Sequence, residues 1–234
     1  MTTAAIASGP TAASGARAAG IPTALTPTGA QAVFRATLDV LARPGTIKRL
    51  PSAADEPLAE HVPAALLPLL ALADLSTPAC VVDSDADGRT AWDEIVRVAT
   101  NAPRAAPGDA RLVTALRPLT AEELAGLRTG TAAAPEDGAL ACLAVTRIAT
   151  ATADGTDSTD GVASAGDGAL LLRLSGPGVP GTRTVSITGL PAGFAAVRRR
   201  LVLGFPAGAD LLLIAPDGAM VGLPRTTEVS EETA

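Results

Sequence analysis

The residues best suited to chemistry in this 234-residue chain stand near its end. GLPRTTEV, residues 222–229, follows an apolar run, ADLLLIA, and a turn, PDG. A strand that finishes in Pro224-Arg225-Thr226-Thr227 would offer one fixed positive charge and two hydroxyls. That donor set suits an anion, a carboxylate on another protein, or plain water. Arginine does not give up its proton, so Arg225 reads as a binder and not as a general acid or base. Thr129-Gly130-Thr131 and, upstream, Asn101-Ala102-Pro103 add hydroxyls and an amide near helix ends. In open α/β sheets ligands collect outside the carboxyl ends of the strands, so these groups and Arg225 together could hold a phosphate or carboxylate. The same residue types build turns, and the turn reading of Asn101, Thr129 and Thr131 is the simpler one.

Three other patterns resemble known chemistry and are weaker. DSDADGRTAWDE, residues 83–94, has calcium-loop spacing, with Asp83, Asp85 and Asp87 at positions 1, 3 and 5, Gly88 at 6 and Glu94 at 12. A strand precedes it where that motif needs a helix. An acidic strand-to-helix turn, with Thr90 as N-cap, is the better account. GPGVPG, residues 176–181, fits a dinucleotide fingerprint in letters only, because TRTVSI after it reads as a strand and offers no helix N-terminus. Two of its residues are prolines, which lack the N–H a phosphate cradle uses, so a rigid turn is expected. Arg198-Arg199-Arg200 spans about 200° of a helix and makes no single face, so a solvated helix side is expected.

Scarcity narrows the choice further. The chain has one lysine (Lys48), one histidine (His61) and no tyrosine. A histidine–cysteine pair, a histidine metal set or a lysine nucleophile therefore has almost no material. Cys80 and Cys142 lie in apolar strand-like runs and read as buried free thiols of a reducing cytoplasm. With 18 basic against 24 acidic residues the formal charge is −6, which argues against nonspecific nucleic-acid binding. No apolar run reaches membrane-span length. His61 reads as a loop residue, and Trp92 as packed in a core or interface.

The elements that must hold these groups follow from periodicity. Residues 1–26 read as a flexible tail of Ala, Gly, Thr, Ser and Pro. Thr26-Pro27 caps a helix through residue 43 that should bury Val33, Phe34, Leu38 and Leu41. GTIKRL is a short strand, and LLPLLALAD a helix with Pro68 in its first turn or at a kink. Then PACVV, RTAWDEIVRVAT, RLVTAL, TAEELAGL and ALACLAVTRIA alternate strand and helix, the last as one long strand. Residues 150–168 read as a solvated acidic loop. ALLLRLSG and RTVSITGL are strands, AGFAAVRRRLVL a helix, and ADLLLIA/AMVGLP a hairpin. The expected fold class is α/β, a mixed sheet flanked by helices in a single domain over 27–229, with a tail over 230–234.

Taken together, FRATLDVLARPGTI, LLALADLSTPACV, TNAPR, LRTGTAAAPEDGA, LLLRLSGPGV and FPAGADLLLI…GLPRTTEV occur in the order found in the PhnH family. The resemblance runs from about residue 28 to 229. It implies a fold like the large domain of pyridoxal-phosphate-dependent transferases, without that cofactor; no cofactor is expected, and Lys48 lies too early in the domain to be a Schiff-base lysine. It also implies a subunit of the bacterial carbon–phosphorus lyase system, a homodimer when isolated. With its partner subunits such a protein supports displacement of adenine from MgATP by methylphosphonate, giving ribose 1-methylphosphonate 5-triphosphate. The nucleosidase chemistry belongs to another subunit, and the iron–sulfur radical chemistry to a third. Residues in the matching segments taken as ligand- or partner-binding candidates are Arg35, Asp74, Asn101, Thr129, Thr131, Arg225 and Thr226. Two roles stay open, an accessory and assembly subunit or a subunit that contributes nucleotide or phosphonate contacts.

Overall fold

Thr26 caps the first helix among the described residues. Its Oγ1 accepts the Gly29 N–H at 3.0 Å, and Pro27 starts helix α1, Pro27–Ala42. The computed structural model describes residues 24–83, 91–151 and 168–232, apart from the side chains of Ala91 and Ala151. Most of the acidic turn at 83–94, the acidic loop and nearly all of the N-terminal tail lie outside those residues.

Four short helices follow: α2 (Leu67–Leu72), α3 (Ala91–Thr100), α4 (Ala121–Ala125) and α5 (Phe194–Arg200). Pro68 stands in the first turn of α2, where its missing N–H costs nothing. Ten strands make two sheets. The first has six: β1 (Lys48–Arg49), β2 (Ala79–Val82), β3 (Leu112–Ala115), β4 (Leu140–Ala144), β8 (Asp210–Ile214) and β9 (Ala219–Leu223), in the order β1-β9-β8-β4-β3-β2. β2, β3, β4 and β8 run parallel, while β9 pairs antiparallel with β8 and β1 with β9, so the sheet is mixed. The second sheet is antiparallel: β5 (Arg147–Ala151), β6 (Ala169–Ser175), β7 (Arg183–Thr188) and β10 (Glu228–Glu232), ordered β10-β6-β7-β5.

Strand alternation sorts the core into two layers. Leu211 and Leu213 pack with Leu124, Phe194, Val197 and the second-sheet residues Leu172 and Ile187. Leu212 and Ile214, one residue out of phase, pack with Val33, Val40, Leu66, Leu69 and Val96. The six-stranded sheet is thus covered on both faces, which is why DLLLI is apolar without interruption.

The helix α1 is turned from the orientation its largest apolar residues suggest. It buries Gly29, Val33, Thr37 and Val40, while Phe34 and Leu38 are 44% and 50% exposed. The cause is backbone proximity to β9. A Cβ on Gly222 would stand 2.6 Å from the Val40 carbonyl oxygen, so the helix lies directly on this glycine and small residues must face the sheet.

Two strand boundaries also differ from the sequence reading. ALACLAVTRIA is not one strand; it breaks at Val145-Thr146 and its halves join different sheets. The Val145 N–H donates to Ile214 O at 2.9 Å and the Thr146 N–H to Thr188 O at 2.8 Å. The stretch read as a tail from residue 230 contains the end of β10, in which Glu232 pairs with Leu171. EVSEE has one apolar residue, too few for alternation to announce a strand. GPGVPG is a turn, as expected, joining antiparallel β6 to β7, with Gly178 in the left-handed region (φ +79°) against the end of α1. No helix among the described residues is long and apolar enough to cross a membrane.

Candidate functional site

Arg225 follows β9 and is held by its surroundings. Its backbone N–H donates to Asp210 Oδ1 at 2.6 Å. Its Nε lies 3.2 Å from both Asp210 oxygens, and its Nη2 donates to Oδ2 at 2.7 Å. Nη1 donates to Pro135 O at 2.6 Å and to Pro206 O at 3.3 Å. The two side chains are only 16% and 23% exposed. A forked, charge-assisted pair with carbonyls on the remaining edge leaves this guanidinium little capacity for a ligand. Arg225 ties together β8, the Pro135–Asp137 3-10 turn and the loop at Pro206.

Beside it lies a cleft of about 670 Å³ between α5, β6, β10 and the turn Pro224–Thr227. Arg225 and Thr226 line it, and so do Arg198 and Thr227. Arg198 is 1% exposed. Its Nη2 donates to Pro224 O at 2.7 Å and lies 3.4 Å from Leu223 O, while its Nε has no partner. Thr227 is 3% exposed and its Oγ1 also has no partner. Burial pushes the Arg198 pKa down to about 10, with Asp210 opposing the shift and Arg225 adding to it.

The family of bacterial phosphonate metabolism proteins named PhnH matches residues 24–230. The chain belongs to the PhnH family. It is also 27% identical over 200 residues to a Stutzerimonas stutzeri protein described as putative C-P lyase subunit protein HtxG, which covers 86% of this chain and 85% of that protein. A role in phosphonate metabolism follows from the family.

The other candidates from the sequence are scattered. Arg35 is exposed on α1. Asp74 is exposed and closes its own turn, accepting from the Ser76 N–H and Oγ and from Thr77 Oγ1 at 2.7–2.9 Å, which holds its carboxyl below the usual range. Asn101 takes the left-handed conformation (φ 57°) at the end of α3. Thr129 gives its carbonyl to the Gly208 N–H at 2.7 Å, and Thr131 caps the Ala134 N–H at 3.1 Å. Asn101, Thr129 and Arg225 thus sit at the amino edge of the parallel strands, opposite the carboxyl edge at which ligands were expected. The reason is positional: a segment between a helix and the next parallel strand must return to the edge where that strand begins. The structure brings only Arg225 and Thr226 to the cleft.

Sequence reading missed Arg198. It took the three arginines as one solvated side, which holds for Arg199 and Arg200 but not for Arg198. The signal was present, because Phe194, Val197 and Leu201 mark the buried stripe and position 198 lies within it at i+4 from Phe194.

The two thiols are buried, and Glu94 and Lys48 are paired. Burial raises Cys142 to about 12 and Cys80 to about 11, the latter with help from the Asp93 charge. Glu94, the last position of the calcium-like loop, meets Arg97 on its own helix at 2.5 and 2.9 Å. Lys48 pairs with Asp39 at 3.1 Å.

Proposed function

We propose that this chain is an accessory and assembly subunit of a bacterial carbon–phosphorus lyase. In that role it supports formation of ribose 1-methylphosphonate 5-triphosphate from MgATP and methylphosphonate on neighbouring subunits. The observation that carries this reading is the state of its strongest binding group: Arg225 is committed to Asp210 and to backbone carbonyls. Thiols far too basic to be nucleophiles at neutral pH support it as well. The same proposal includes other lyase subunits as partners, a homodimer for the isolated chain, a cytoplasmic setting, and kinship with the pyridoxal-phosphate transferase fold without use of that cofactor.

The test is co-purification with the other lyase subunits, with and without ATP, alongside an assay of adenine release by the pure chain. Stable capture by the complex with no adenine release is the expected result. Steady adenine release by the isolated protein would overturn it. A second reading, in which the subunit contributes contacts to nucleotide or phosphonate, is favoured by the cleft at Arg198.

A further inference from the structure

One polar irregularity on α5 is a buried charge without a counter-charge among the described residues. Arg198 is almost wholly buried, yet among the described residues no carboxylate comes close enough to pair with it. The nearest acid that influences it, Asp210, already has both oxygens engaged by Arg225. Asp210 thus belongs to Arg225, and Arg198 has only backbone carbonyls as recorded partners. None of the other acids near the cleft has a recorded contact with Arg198: Glu231 accepts the Ala195 N–H at 2.8 Å, Glu228 lies 3.3 Å from Ser175 Oγ, and Glu232 pairs with Arg173 at 3.3 Å. Burying a guanidinium against carbonyl oxygens alone is unfavourable unless an anion completes the site.

The surroundings fit such an anion. Arg198 and Thr227 both line the cleft, and each keeps one buried donor, Nε and Oγ1, without a partner. Of the four arginines that border the space, Arg173 and Arg225 are paired with Glu232 and Asp210, which leaves Arg198 and Arg199 facing Glu228. Its volume of about 670 Å³ is within the range of small-molecule sites.

From these features we infer that the cleft between α5, β10 and the Pro224–Thr227 turn binds a phosphoryl or phosphonyl oxoanion. Arg198 supplies the buried positive charge and Thr227 a hydroxyl donor, with Arg199 at the rim. The donors come from two elements, a helix and a turn, and a phosphoryl or phosphonyl group offers them three oxygens where a carboxylate offers two. The oxoanion could belong to a free phosphate or phosphonate or to a nucleotide.

The experiment is calorimetric titration of the full chain at low salt with inorganic phosphate, methylphosphonate and ATP in separate runs. Saturable binding of at least one, at one per chain, is expected. Binding of the two small anions assigns the site to a free oxoanion, and binding of ATP alone assigns it to a nucleotide. Thr227→Val, which preserves shape, should weaken binding about tenfold, the loss of one hydrogen bond to a charged group. Arg198→Met should abolish it, and Arg35→Ala on α1 should leave it unchanged. Failure of Arg198→Met to fold would leave Thr227→Val to decide. No saturable binding by the wild type, or unaltered affinity in Thr227→Val, would overturn the inference. The assembly reading would survive either result, because co-purification does not depend on this cleft.

Discussion

Arg225 and Asp210 form a forked ion pair across the start of β8, with two backbone carbonyls taking the guanidinium's other edge. The GLPRTTEV strand end is therefore a structural clasp. Arg225→Ala strands a half-buried carboxylate and two carbonyls, and a loss of about 3 kcal/mol in stability is expected. In a domain of this size that lowers Tm by roughly 6–12 °C. Arg225→Lys should recover less than half, since an ammonium cannot bridge both oxygens. Thermal melting of both variants checks this; a wild-type Tm for Arg225→Ala would return the residue to the solvent.

Glu56 is fully buried and forms no ion pair among the described residues. Its Oε2 accepts the Thr26 N–H at 3.0 Å and Oγ1–H at 2.7 Å, and its Oε1 accepts the Leu58 N–H at 3.1 Å. Through Thr26 it fixes the start of α1. Glu56→Ala leaves three donors unsatisfied, and a cost of about 2–4 kcal/mol in urea denaturation is expected. Glu56→Gln should cost about half as much, because its amide N–H₂ must face one of those donors.

Glu123 closes a capping box with Thr120 and receives two N–H donors from Arg117 at 2.6 and 2.9 Å. The Arg117 hydrogen bonds, followed by the Thr120 N–H, lower its pKa from 4.5 to about 2. A depressed carboxylate pKa stabilises the fold above the unfolded value. That contribution is expected to fade as pH falls from about 4.5 through 2. The pair is over one-third exposed, so its worth is under about 1 kcal/mol. Stability curves of wild type and Glu123→Gln should separate at neutral pH and converge near pH 2.

Cys80 and Cys142 should not react with a thiol reagent at pH 8 in the native state, and both should react after denaturation. Their raised pKa values keep the thiolate scarce, and burial denies access. Rapid native labelling of either would remove one support from the non-catalytic reading.

Much of the fold was legible because its signals are local. Thr26-Pro27 and Pro68 mark helix starts, and unbroken apolar runs mark the doubly covered strands. What escaped depends on contacts distant in sequence. The break at Val145-Thr146 contains no proline or glycine; a partner residue, Gly189 at φ +100°, lets β7 end against Thr146. The face of α1 is set by Gly222, far along the chain. At the site, the sequence identified a charge at Arg225 but could not foresee Asp210 as its mate. It held the clue to Arg198 in the helical stripe of Phe194, Val197 and Leu201.

The neighbouring strands β4 and β8 align Leu140 with Asp210, seventy residues on. β2, β3 and β4 can assemble from nearby segments, and β8 with β9 is a tight hairpin, but the seam between these halves closes a long loop. Asp210 belongs to the hairpin and Pro135 to the other half, and Arg225 grips both. We expect a contact of that kind to form late, so that its loss leaves the refolding rate nearly unchanged and accelerates unfolding. The residue that looked like a hand held out to a ligand would then set how long the native protein lasts.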